Sequence, residues 1–111
     1  YYCQEKEEAF YFENRGLGLG IVRSSAYEKY IDVNQINYKA GDKLFLYTDG
    51  IVEAKNQLGE EFGYDRLKLI IAEKGNDKPE AIKEEVIKKL YSFIGSDTLD
   101  DDYTLLTISF S

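Results

Sequence analysis

Lys43-Leu44-Phe45-Leu46-Tyr47-Thr48-Asp49-Gly50 runs from an apolar segment straight into a carboxylate and a glycine. After Lys43 the residues stay apolar as far as Thr48, the pattern of a β-strand covered on both faces. A strand that delivers a carboxylate into a glycine turn is a common way to hold a metal ion or a phosphoryl group. Asp-Gly is also a favoured pair in tight hairpin turns, and this is the alternative local reading. A hairpin needs a second strand directly afterwards. Instead Ile51-Val52-Glu53-Ala54-Lys55 reads as a short helical turn and Asn56-Gln57-Leu58-Gly59-Glu60 as a loop.

A second acidic cluster, Asp100-Asp101-Asp102, opens a closing strand, Thr104-Leu105-Leu106-Thr107-Ile108-Ser109-Phe110. Alone, it reads as a solvated loop whose charges keep a sticky strand from aggregating. Pairing changes that reading. If the strand ending at Asp49 lies antiparallel to the one beginning near Asp101, the end of one sits beside the start of the other. Both carboxylates then meet at one edge of the sheet, and like charges so close call for a cation.

Composition narrows the chemistry. At 111 residues the chain is one domain or a piece of a larger one, and 43% hydrophobic residues suffice for a core. A net charge of −7 argues against nucleic acid as a main partner. No apolar stretch approaches the roughly twenty residues of a membrane span. With no His, the Ser-His-Asp triad and histidine metal sites are excluded. The single Cys3 excludes an internal disulfide and fits a reducing compartment. Carboxylates must then carry the chemistry, and they suit Mg²⁺ or Mn²⁺ better than soft metals. No signal peptide is visible. A start at Tyr1 without Met reads as an excised fragment.

Elsewhere the first forty residues read as short strands and turns. Ala9-Phe10-Tyr11-Phe12 is expected as a strand, bounded by Asn14-Arg15-Gly16; Tyr30-Ile31-Asp32-Val33 and Ile36-Asn37-Tyr38 alternate weakly. Tyr64 to Lys74 is expected to be helical with Leu67, Ile70 and Ile71 on one side and Gly75 as its stop. The next helix is expected to be capped by Asp77, to carry Pro79 in its first turn and to end at Gly95. Its buried stripe is Ile82, Val86, Ile87, Leu90, Phe93 and Ile94. Gly16-Leu17-Gly18-Leu19-Gly20 lacks the spacing of a dinucleotide loop and reads as a turn. Arg66 is expected to pair with an acid on its helix or to pack its stem there, Cys3 to be an inert small residue, and the tyrosines to fill core and interface. The pattern as a whole predicts an α+β fold, an antiparallel sheet with two helices and no internal domain boundary.

The stretch from Ala40 to Ala54 resembles the bacterial metal-dependent protein serine/threonine phosphatases, specifically their SpoIIE-like branch within the protein phosphatase 2C-like superfamily. Asn56, Gly59, Phe62-Gly63 and Arg66-Leu67 continue that pattern. Asp101 to Leu106 looks like the family's closing motif, and Leu17 to Ile21 like its glycine turn. The resemblance implies that residues 1–111 are the C-terminal half of an α/β/β/α sandwich. It implies that Asp49 is a metal ligand, with Gly50 letting the backbone approach the metal. Asp101 is the second ligand, with Asp100 and Asp102 as fallbacks, and no catalytic residue is expected beyond the metal ligands. Such enzymes use two Mn²⁺ or Mg²⁺ ions to direct a water onto phosphoserine or phosphothreonine, without a phosphoenzyme.

The chain departs from the family in lacking an earlier Asp-Gly: Asp32 and Asp42 are the only aspartates before Asp49, and neither precedes glycine. Two classes of function follow. One is the metal-binding half of a cytoplasmic phosphatase acting on a phosphorylated regulatory protein, such as an anti-sigma-factor antagonist, with an upstream sensor or regulatory domain. The isolated chain is then expected to be inactive. The other is a noncatalytic interaction domain that keeps the fold. A haloacid-dehalogenase-type phosphotransferase is a weaker third, because Tyr47 stands where its nucleophilic aspartate would be. A missing half of the sandwich leaves apolar sheet uncovered, so a homodimer is also expected.

Overall fold

The computed structural model describes residues 1–12, 35–96 and 101–111. The expected turn around Gly16 to Gly20, the weak strand at Tyr30 to Val33, and Asp100 all lie outside these residues. Among the described residues the elements follow in the order β1 (Tyr2–Cys3), β2 (Glu8–Ala9), β3 (Lys43–Tyr47), α1 (Asp49–Val52), α2 (Gly63–Lys74), α3 (Pro79–Ile94) and β4 (Leu105–Ser109). The strands form an antiparallel sheet in the order β2-β1-β3-β4. The α+β class and the pairing of the two long strands are as the sequence predicts.

Register explains the layering. β3 and β4 pair from Lys43 opposite Ser109 to Tyr47 opposite Leu105. Alternation places Phe45 and Tyr47 with Leu105 on the face toward the helices, where Phe45 is buried and the other two pack against the core. Leu67, Ile70 and Ile71 of α2 and Ile82, Val86 and Leu90 of α3 complete that core. Each such side chain contributes about 1.5–3 kcal/mol when removed from water. The opposite face carries Leu46 against Leu106 and Leu44 against Ile108; Leu46, Leu106 and Ile108 are exposed. The continuously apolar β3 is therefore covered by described residues on one face, not both.

Other expectations need correcting. Phe10, Tyr11 and Phe12 lie beyond β2. Phe10 still exchanges backbone hydrogen bonds with Tyr1: its N–H donates to the Tyr1 carbonyl at 3.0 Å, and its carbonyl accepts from the Tyr1 amino group at 2.9 Å. Ring contacts hold the residues around them. Tyr1 packs against Phe10 and Phe12 at 5.5 and 6.1 Å between centroids, and Tyr11 turns onto Tyr47 and Tyr64. Ile36 to Tyr38 forms no strand, and Tyr38 stacks on Phe110 at 4.5 Å. Asp77 does not cap α3: Lys78 holds that position, and the Asp77 N–H closes the preceding turn on the Lys74 carbonyl. Pro79 does open α3, and Gly95 ends it in left-handed backbone. Gly75 ends α2 for a different reason. Its backbone stays right-handed, and an added Cβ would stand 2.3 Å from the Tyr2 ring. The buried Lys43 ammonium donates to the Gly75 carbonyl and lies near the same ring. Arg66 forms no ion pair among the described residues. It donates to the carbonyls of Glu61 and Phe62 at 3.0 and 2.9 Å, with its guanidinium 4.4 Å from the Phe93 ring centroid.

Candidate metal centre

The site lies where β3 gives way to α1. Thr48 stands at the start of this short helix in extended backbone, yet its hydroxyl caps nothing within the helix. Instead Thr48 Oγ1 accepts the Thr104 N–H at 2.8 Å, while the Thr48 N–H donates to the Thr104 carbonyl at 3.1 Å. These bonds carry the β3–β4 ladder past its last strand pair and fasten the Asp49 turn to the segment leading into β4. The sequence signal was a Thr directly before a helical turn, which reads locally as an ordinary cap.

Gly50 is the tightest point. It is buried, and a Cβ there would stand 2.1 Å from the Asp102 carbonyl oxygen. Only hydrogen fits between the two chain segments. The antiparallel argument is realised in the backbone: the Asp49-Gly50 turn and the Asp101-Asp102 segment are side by side at one end of the sheet. Asp49, Asp101 and Asp102 are all exposed. Asp101 Oδ1 accepts the N–H of Asp102 at 2.8 Å, which orients that carboxylate.

Beside this junction opens a cleft of about 670 Å³, walled by Gly50, Glu53, Lys55, Glu61 and Asp101 among others. Glu53, Lys55 and Glu61 were not singled out in the sequence. Their wall is held by Asn56. Its Oδ1 accepts the N–H groups of Leu58 and Glu60 at 3.0 and 2.9 Å, and its amide reaches the Glu60 carboxylate at 3.3 Å. An isolated antiparallel bridge, Lys55 to Glu61, and the Phe62 N–H on the Ala54 carbonyl at 2.7 Å close the loop. An Asn followed by a Gly three residues on marks such a turn, but not which way it faces.

The side chains carried by these adjoining backbone segments offer carboxylate oxygens, the ligand type of Mg²⁺ and Mn²⁺. Among the described residues no group of three or more His, Cys, Asp or Glu side chains is arranged to hold a metal. One or two carboxylates with water and a phosphoryl group are the usual Mg²⁺ shell, so the residues present fit a hard cation as part of a donor set.

A protein phosphatase 2C domain shares this fold. The SiaA-PP2C domain of Pseudomonas aeruginosa superposes with a TM-score of 0.56 over 62% of this chain and 28% of that one, at 24% identity, a likeness of fold. The family Stage II sporulation protein E (SpoIIE) matches residues 1–111, and the chain belongs to it. Phosphoserine phosphatase RsbU of Bacillus subtilis (strain 168) is 29% identical over 97% of the chain, which spans 31% of that protein's length. The family is one of PP2C-type phosphatases. Among the described residues no helix is long and apolar enough to cross a membrane.

Proposed function

We propose that this chain supplies the metal-binding C-terminal part of a protein serine/threonine phosphatase that hydrolyses phosphoserine or phosphothreonine on a cytoplasmic regulatory protein. The observation that carries the reading is the junction at Gly50, where the Asp102 carbonyl meets the Asp49 turn. Asp49 and Asp101 would hold the cation, with Asp102 as the alternative donor. When bound, Mn²⁺ or Mg²⁺ makes a water more acidic and offsets phosphoryl charge. The protein groups do the rest. Thr48 fixes the spacing of the two turns, the Asp102 N–H orients the Asp101 carboxylate, and the cleft beside them admits the phosphorylated side chain.

The test is hydrolysis of a phosphoserine peptide by the full-length protein, with Mn²⁺ and then with EDTA, in ¹⁸O-labelled water. The expected result is Mn²⁺-dependent release of phosphate carrying one solvent oxygen, with no phosphoenzyme trapped. Peptide binding without turnover, in a protein that takes up Mn²⁺, would instead support the noncatalytic interaction domain. The two carboxylates are exposed and no third described donor joins them, so the isolated 111-residue chain should bind Mn²⁺ weakly and turn over little.

A further inference from the structure

The cleft beside the Asp49 turn has an unbalanced lining. Among the described residues that wall it, Glu53, Glu61 and Asp101 stand with a single cation, Lys55. Lys55 is exposed and makes no ion pair or hydrogen bond through its ammonium to any described residue, although Glu61 is its partner across the bridge. Lys43 is committed to the Gly75 carbonyl, Lys39 to Glu5 at 2.6 Å and Lys89 to Glu85 at 3.9 Å. Lys55 shares its open ammonium with surface lysines such as Lys68 and is set apart from them by its place in the wall of the cleft. The backbone on both sides of Lys55 is also fixed, by the bridge to Glu61 and by the bonds that Asn56 accepts. A flexible lysine on a rigid base costs less entropy to position than one on a loose loop.

A phosphomonoester dianion approaching three carboxylates is repelled unless cations offset them. A cation held by Asp49 and Asp101 would offset charge at the Asp101 side of the cleft, and Lys55 supplies positive charge at the wall formed by Glu53 and Glu61. We propose that Lys55 is a phosphate-anchoring residue, whose ammonium donates to a nonbridging oxygen of the phosphorylated substrate in this cleft. The proposal rests on the phosphatase reading for the identity of the substrate, but not for the binding of phosphate. A charge-assisted bond from a compact ammonium gives affinity without demanding one geometry, which suits a phosphoryl group carried on different peptide backbones.

The experiment compares full-length wild type with Lys55→Gln, Lys55→Arg and, as a control, Lys68→Gln on the exposed surface of α2. Calorimetry measures binding of inorganic phosphate in Mn²⁺, and steady-state kinetics follow a phosphoserine peptide. Lys55→Gln is expected to weaken phosphate binding and raise KM by about tenfold each, with kcat within about twofold and Mn²⁺ uptake unchanged. Lys55→Arg should restore most of both, and Lys68→Gln should match wild type. Phosphate affinity and KM unmoved in Lys55→Gln would overturn the proposal. So would a fall in kcat alone, or a wild-type protein that binds no phosphate. Lys55-dependent phosphate binding in a protein without turnover would uphold the anchor and overturn the phosphatase reading.

Discussion

Asp42 stands just before β3 and Asp49 just after it, and the two aspartates meet opposite surroundings. Asp42 is buried, and its carboxylate accepts from the Tyr1 hydroxyl and from the N–H groups of Gln4 and Lys39, both at 3.0 Å. That set of donors ties β1 and the turn at Gly41 to the start of β3. Asp49 is exposed, and among the described residues no hydrogen bond reaches its carboxylate. A carboxylate with its lone pairs filled by protein donors is structural. One left open at the far end of the same strand, on a turn that adjoins the segment carrying Asp101 and Asp102, is available to a ligand.

The comparison is broken or sharpened first at the open end. In the full-length protein, Asp49→Asn or Asp101→Asn should lower Mn²⁺-dependent phosphoserine hydrolysis on the order of a thousandfold. Thermal stability should stay within about 0.5 kcal/mol of wild type, or rise slightly as carboxylate repulsion is relieved. Peptide turnover and a calorimetric melt check the two halves of that statement. A large loss of stability would make Asp49 as structural as Asp42.

At the closed end the order of effects reverses. Asp42→Ala leaves the Gln4 and Lys39 N–H groups without their acceptor and should cost roughly 2–4 kcal/mol in denaturant unfolding. Gly75→Ala, which drives a methyl group into the Tyr2 ring, should cost about 1–3 kcal/mol. Thr48→Val removes the acceptor of the Thr104 N–H between the two turns. It should cost about 1 kcal/mol while lowering turnover more than either core change does at matched stability.

The pH dependence of stability carries the same contrast. The Tyr1 hydrogen bond, with those from Gln4 and Lys39, holds the Asp42 carboxyl below its ordinary range against the opposing effect of burial. Its contribution is therefore present above the unfolded value of about 3.9 and lost as pH falls through the lower folded value. Burial first, and then the bond to Asp42, pushes the Tyr1 phenol up to about 12. That contribution is present below the unfolded value of about 10 and lost as pH rises through the folded one. Asp42→Asn should flatten the acid limb of a melting-temperature profile and pull the alkaline loss toward lower pH. Unchanged limbs would detach both groups from stability.

What the sequence disclosed follows the range of the interactions. β3, α2, α3 and β4 were legible because periodicity and the stops at Gly75 and Gly95 are local signals. The meeting of the Asp49 and Asp101 segments was legible because antiparallel pairing fixes which ends are neighbours. β1 and β2 were not, because two-residue strands carry no pattern of their own and are held by the register of distant partners. The purpose of Gly75 was hidden too, since the Tyr2 ring that excludes a side chain there comes from the other end of the chain. In the site, the two aspartates stood out as motif residues. Asn56 continued the family pattern without disclosing its role, and Thr48 and Lys55 were not marked as site residues, because each acts through a partner or a cleft that only the folded chain brings beside it.

The central claim is that Asp49 and Asp101 hold one cation between adjoining turns. Titrating Mn²⁺ into the full-length protein, followed by the paramagnetic resonance signal of free Mn²⁺, tests it without any reliance on turnover. Saturable uptake should weaken by at least about tenfold in Asp49→Asn and in Asp101→Asn, while Asp42→Asn, compared where it is folded, binds as wild type does. Equal uptake by wild type and both site variants would contradict the claim.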